Sequence, residues 1–351
     1  MGKYTSPYNA LHNDNVIRMA TNENPYTTNK DFIPSLLNEL ININRYPDVE
    51  LTELRNQLAM MHSVDDANII LGAGSDEIIT MITMSHITPG DETIMSDPSF
   101  FRYKQATENM GGICHMIKSI GYHHDLIAMR NAISSKTKII FICNPNNPTG
   151  TFIPLDEIEC FLSKVPNSIL VVVDEAYFEY VENNKFSTSI NLIKKHSNLI
   201  ILRSFSKFYG LAGLRVGYAL SSPNHISQLN PYKSPYNINS IAIAAATIAL
   251  ENHERYFLKN YLKNFIEEKR FFYKKFRELN IEYIPTQSNF ILVDFADKTN
   301  ALTDYLKSKN IAIRSCEMFN LPRHVRITIG SKEDNIRLFS EIEVFLSGEV
   351  K

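Results

Sequence analysis

The stretch SILVVVDEAY (Ser168–Tyr177) decides how this chain is read. Ile169 to Val173 are five consecutive apolar residues with no polar alternation. A strand of that composition is covered on both faces, which is how strands of a parallel sheet between helices read. Asp174 then follows at the carboxyl end of the strand, where open α/β sheets bind their ligands. A carboxylate in that place is partly desolvated and needs a cationic or protonated partner. The competing readings are a helix N-cap for Asp174 and a core aromatic for Tyr177.

The same grammar recurs outward from this strand. NIIL (68–71) leads into GAGSDE, TKIIFIC (137–143) into NPNNPTG and a helix over 155–164, and NLIILR (198–203) into SFSK. The expected fold is α/β, a large unit with a mostly parallel sheet covered by helices. After about Glu251 the pattern changes to a charged helix (252–279), QSNFILVDF, a helix over 300–309, IAIRS, HVRITIG and a terminal helix. That succession predicts a smaller α+β unit with a partly antiparallel sheet. The expected division is an N-terminal arm (1–30), a large unit (31–252) and a small unit (253–351). The alternating charges from Lys263 to Lys275 read as a solvated helix face.

Composition narrows the function classes. With 44% hydrophobic and 21% charged residues in 351, the chain has ample core, and a net charge of -2 argues against a nucleic-acid partner. Cys114, Cys143, Cys160 and Cys316 form no C-x-x-C pair, so reduced thiols in a cytoplasm are expected and no metal site is. His123–His124 reads as a polar loop. The first fifteen residues lack an apolar core, and INSIAIAAATIAL is too short to span a bilayer, so no membrane partner is expected and that segment reads as a buried helix.

Four polar clusters follow predicted strands. Ala73, Gly74 and Ser75 in GAGSDE can turn backbone N–H groups toward an anion at a helix start, although a plain turn is the commoner use of such glycines. In NPNNPTG, two prolines restrain Asn147, whose amide can donate to a phenolate-type oxygen. Asp174 can pair with a ring nitrogen. In RSFSKFYGLAGLRVGY (203–218), Lys207 can condense with an aldehyde, while Ser204, Ser206 and Arg215 can hold a phosphate. Each cluster alone has a bland reading. Together they match the polar inventory of pyridoxal 5′-phosphate.

The ordered motifs G-x-G-S-D-E, N-P-N-N-P-T-G, V-V-D-E-A-Y, S-x-S-K and G-L-R-V-G-Y resemble the fold-type I pyridoxal-phosphate aminotransferases, and most of all their histidinol-phosphate branch. The likeness runs from TNENP (21–25) and RYPD (45–48) to VRITIG (325–330). It implies Lys207 as the Schiff-base lysine and proton shuttle, Asp174 on the pyridinium nitrogen, and Tyr177 and Asn147 on the ring oxygen. It further implies a phosphate site of Ala73, Gly74, Ser204, Ser206 and Arg215, with Ser75 beside it and Phe100 stacked on the ring. Tyr46 is expected to reach the neighbouring subunit's phosphate, which makes a homodimer with shared sites. Tyr8, Asn22, Arg314 and Arg326 are the implied contacts for small phosphorylated or carboxylate substrates such as histidinol phosphate, glutamate and 2-oxoglutarate. R-S-C-x-x-F-x-L (314–321) also resembles threonine-phosphate decarboxylases. A broad aromatic transaminase is a further reading. A cofactor-binding regulator is disfavoured, because motif-bearing sequence already starts by residue 21.

Overall fold

The computed structural model describes residues 15–26, 32–182 and 187–348. A two-residue strand β1 (Ile17–Arg18) precedes the main sheet, whose strands are β2 (Ile69–Gly72), β3 (Glu92–Asp97), β4 (Ile113–Lys118), β5 (Thr137–Cys143), β6 (Leu170–Asp174), β7 (Leu199–Ser204) and β8 (Gly217–Ser221). Their order is β2-β8-β7-β6-β5-β3-β4. Only β8 runs antiparallel to its neighbours, so the sheet is mostly parallel, as expected.

Side chains alternate across the sheet, and both faces are covered. Val171 and Val173 enter one buried cluster, Leu170 and Val172 the other. This is why SILVVV carries no polar alternation. The covering helices are α1 (Phe32–Leu40), α2 (Thr52–His62), α3 (Ser75–His86), α4 (Arg102–Asn109), α5 (Leu126–Asn131), α6 (Leu155–Leu162), α7 (Pro223–Leu229) and α8 (Ser240–Glu251). Helix α8 is the alanine-rich segment; Ala242, Ala245, Ala246 and Ala249 are buried along it.

Past α8 the chain enters a π-helical segment (His253–Leu262) that continues into α9 (Lys263–Glu278). Strands β9 (Glu282–Ile284), β10 (Phe290–Asp294), β11 (Ile311–Ala312), β12 (Arg314–Ser315) and β13 (His324–Thr328) follow, with α10 (Thr299–Ser308) and α11 (Lys332–Ser347) packed beside them. Four of these strands make an antiparallel sheet of order β12-β13-β10-β9. The fifth, β11, pairs in parallel with β1, Ile17 opposite Ile311. The N-terminal segment is thus stitched to the C-terminal part of the chain in a two-stranded sheet of its own.

The face of α9 departs from its expected solvation at one position. Lys269 is buried beside Phe265 and Phe272, and its ammonium meets the Glu182 carboxylate. The long stem lets a charged head reach a partner while its methylenes cover apolar surface.

His62, at the end of α2, bonds through Nε2 to the Tyr218 hydroxyl at 2.9 Å. Burial, with the Arg203 and His253 charges, lowers its pKa from 6.5 to about 3. The folded chain therefore holds His62 neutral where the unfolded chain protonates it. Its stabilising effect is complete above pH 6.5 and is lost as pH falls toward about 3. Equilibrium unfolding across that window is expected to show declining stability that flattens in His62→Gln.

Candidate active site

The carboxyl ends of β2, β3, β5, β6 and β7 open into a cleft of about 550 Å³, closed on its other side by residues 21–23 and by Arg314, Met318, Phe319 and Arg326 of the C-terminal unit. Strand ends of a parallel sheet converge on one edge, so residues far apart in sequence meet there.

Lys207 follows β7 by three residues. Its Nζ donates to the Thr21 carbonyl at 3.0 Å. Burial, reinforced by the Arg326 charge, lowers its pKa from 10.5 to about 8. Near neutral pH a useful fraction of this amine is uncharged and nucleophilic.

Asp174 ends β6 and is buried. Its Oδ1 accepts from the Ala176 amide at 3.1 Å and its Oδ2 from the Tyr103 hydroxyl at 2.7 Å. Desolvation pushes its pKa up to about 6, against the pull of those two donors. A carboxylate this desolvated favours a cationic partner.

Tyr177 packs edge-on against Phe290, and its hydroxyl accepts from Asn22 Nδ2 at 2.9 Å and Asn147 Nδ2 at 3.5 Å. The orientation of the Asn147 amide is set from behind, because Arg326 Nη1 donates to its Oδ1. Asn22 is itself anchored to the C-terminal sheet, its backbone N–H donating to Thr328 Oγ1 at 3.0 Å.

Opposite lies a group of donors around Arg215. Arg215 donates to Ser206 Oγ at 3.2 Å and stands 3.4 Å from Asp76 Oδ2. Gly74 has φ +80°, and a Cβ there would sit 2.5 Å from Arg215 Nη2; a Cβ on Gly217 would sit 2.5 Å from the Ser75 amide. The left-handed φ at Gly74 favours glycine, and the backbone approach at Gly217 is one no side chain would allow. The Ala73 amide donates to Glu77 Oε2 and the Gly74 amide to the Gly72 carbonyl. Both amides are thus already engaged within the turn, ahead of the opening of α3 at Ser75.

Arg314 and Arg326 are Cα partners across β12 and β13 and are both buried, not surface strand charges. Arg326 Nη2 donates to the Ala20 carbonyl at 2.8 Å and Arg314 Nε to the same oxygen at 3.4 Å. Cations outnumber carboxylates around the cleft, with Arg102, Lys207, Arg215, Arg314 and Arg326 against Glu23, Asp76 and Asp174.

Of the residues expected from sequence, Asn22, Ser75, Phe100, Asn147, Asp174, Tyr177, Ser204, Ser206, Lys207, Arg215, Arg314 and Arg326 line this cleft. Gly74 shapes it from behind. Tyr46, expected at the neighbouring subunit's site rather than this chain's own cleft, is 80% exposed and stacks on Tyr236 at 4.3 Å. Tyr8 lies outside the described residues. Sequence reasoning missed Tyr103, the Thr21 carbonyl, and Asp76 as the partner of Arg215. Tyr103 stands three residues after Phe100, a spacing that places both on one side of the helix start.

This geometry is that of a known class. Residues 14–342 match the profile of the aminotransferase class I and II family, and the chain belongs to that family. It is 39% identical over 95% of its length to the histidinol-phosphate aminotransferase of Caldicellulosiruptor saccharolyticus, spanning 92% of that protein. The crystal structure of histidinol-phosphate aminotransferase from Sinorhizobium meliloti in complex with pyridoxal 5′-phosphate superposes with a TM-score of 0.87 at 25% identity, covering 93% of this chain and 89% of that one. The fold is also shared with L-threonine-O-3-phosphate decarboxylase from Porphyromonas gingivalis, at a TM-score of 0.79 and 24% identity over 95% of this chain and all of that one.

Proposed function

We propose that this chain is a pyridoxal-phosphate-dependent transaminase, as its histidinol-phosphate aminotransferase relatives are named, and that it moves the amino group of glutamate to imidazole-acetol phosphate, leaving 2-oxoglutarate and histidinol phosphate. The observation that carries this reading is the buried pair Arg314–Arg326 in the same cleft as Lys207 and Asp174. Two guanidinium groups suit a phosphate dianion or a carboxylate at one position.

The residues fit the cofactor. Ser204, Ser206, Arg215 and the start of α3 would hold the phosphate, Asn147 and Tyr177 the ring oxygen, Asp174 the ring nitrogen, and Phe100 one ring face. Bound there, pyridoxal 5′-phosphate supplies an aldehyde and a cationic ring that draws electron density from the substrate's Cα. Lys207 Nζ takes the Cα proton, and the Thr21 carbonyl keeps the amine aimed into the cleft. Arg314 and Arg326 fix the anionic end of either substrate, and Asn147 and Ala20 keep Arg326 pointed inward. We take 31–252 as the cofactor-holding unit and 253–351 as the substrate clamp, with residues 21–23 of the arm lying at the cleft between them.

Arg326→Gln is expected to raise KM for histidinol phosphate roughly a hundredfold, because it removes a charge-assisted bond from a buried site. The whole reading is tested by loading the protein with cofactor and adding L-histidinol phosphate, L-glutamate or phosphothreonine in turn. Conversion of the visible absorbance to the pyridoxamine form by the first two is the expected result. Carbon dioxide from phosphothreonine with no amine transfer would replace this reading with the decarboxylase one.

We further propose a cytoplasmic homodimer. No helix among the described residues is long and apolar enough to cross a membrane. Leu37, Ile41, Ile43 and Tyr46, close together in sequence, are exposed, and light scattering should find a second copy associated with the chain.

A further inference from the structure

Tyr103 passes for a core residue, fully buried in the cluster beneath α3 and α4. Its ring stacks on Phe141 at 4.7 Å with 5° between planes and meets the edge of Phe100 at 5.5 Å. Two rings at right angles to one another leave the phenol one direction, and its hydroxyl ends 2.7 Å from Asp174 Oδ2. Nothing about packing requires the oxygen, since phenylalanine has the same ring. The hydroxyl is there for the carboxylate.

We propose that Tyr103 is a positioning residue for the transamination: its phenol fixes the rotation of the Asp174 carboxylate and keeps it in the charged form that faces the cofactor's ring nitrogen. This rests on the transaminase reading above. The Ala176 amide holds Oδ1 and Tyr103 holds Oδ2, so the carboxylate plane is set by one backbone and one side-chain donor. A hydrogen bond to the ionised form favours that form, and an O–H donor to a carboxylate is among the stronger kinds. The other titratable groups facing Asp174 cannot do this. Asp76 and Glu175 are carboxylates that disfavour its charge; Cys143, its Cα partner on β5, gives its thiol to the Pro145 carbonyl at 3.4 Å; and the Tyr177 hydroxyl is engaged by Asn22 and Asn147. Tyr103 is the side-chain donor that offsets burial at this position.

The test uses Tyr103→Phe, which keeps the ring and its stacking. The wild-type holoenzyme first shows whether the cofactor binds and turns over; failure there overturns the transaminase reading itself. Given a working wild type, Y103F is expected to lower kcat roughly tenfold to a hundredfold with KM for glutamate little changed. The acid limb of its kcat profile should move to higher pH, because Asp174 protonates sooner. Cofactor affinity of the apoprotein, read by absorbance titration, should weaken by about tenfold. The Asp174→Asn background separates positioning from general structure. If Tyr103 acts through Asp174, adding Y103F to D174N changes cofactor affinity less than about twofold. Additive losses in that cycle, or an unchanged acid limb in a folded Y103F, would overturn the proposal.

Discussion

Lys207→Ala is expected to lower multiple-turnover transamination by roughly four orders of magnitude, the upper range for losing a positioned proton-transfer group. The expectation is strong because, among the described residues lining the cleft, Lys207 is the only lysine. Arginine is no substitute, since its guanidinium does not give up a proton in this pH range. The same substitution should not unfold the protein. Lys207 has a folded pKa of about 8 against 10.5 when unfolded, so burying it costs stability that is complete below about pH 8 and vanishes above 10.5. Melting of the cofactor-free variant near pH 7 is therefore expected at or above the wild-type temperature. Undiminished turnover in a verified K207A preparation would remove this lysine from the mechanism.

The second large effect is on stability, at Glu175. Its carboxylate is fully buried and accepts from Arg203 Nε at 3.0 Å, Thr188 Oγ1 at 2.9 Å and the Ser189 amide at 2.7 Å. Arg203 has one other acidic partner, Glu179 at 3.3 Å, and lies over the Phe178 ring at 3.8 Å. Glu175→Ala leaves this guanidinium short of countercharge in a dry site, a loss of about 3–5 kcal/mol. Denaturant unfolding should register most of that, and the melting temperature should fall by roughly ten degrees. Since Glu175 follows Asp174 and Arg203 precedes Ser204, the pair also ties the ends of β6 and β7 together just beneath the cleft. A loss under about 1 kcal/mol would mean the network is dispensable.

Much of this arrangement was legible in the sequence, for identifiable reasons. Unbroken apolar runs such as LVVV (170–173) and LIIL (199–202) disclose strands covered on both faces, and polar clusters directly after them disclose the binding edge. Lys207, Asp174, Tyr177 and Asn147 are side chains whose chemistry announces itself at those positions. The family likeness added Arg314 and Arg326, whose burial composition alone left open. What escaped is of a different kind. The Thr21 carbonyl that aims Lys207 belongs to the backbone, and no residue type encodes it. Tyr103 looks like any core aromatic until its hydroxyl is seen on Asp174. Lys269 sits in a run of alternating charges, and only the placement of Glu182 across from α9 explains its burial. Within GAGSDE, the pull of Glu77 on the Ala73 amide is a competition among near neighbours that spacing alone does not resolve.

The pairing of β1 with β11 has a consequence for the life of the chain on the ribosome. Residues 20–22 supply the carbonyls and the amide that aim Lys207, Arg326 and Tyr177, yet Ala20 finds Arg326 only 306 positions later. The first strand made is among the last to find its seat, and the cleft cannot close until translation is nearly done. A copy cut short before β11 leaves β1 without the strand it pairs with.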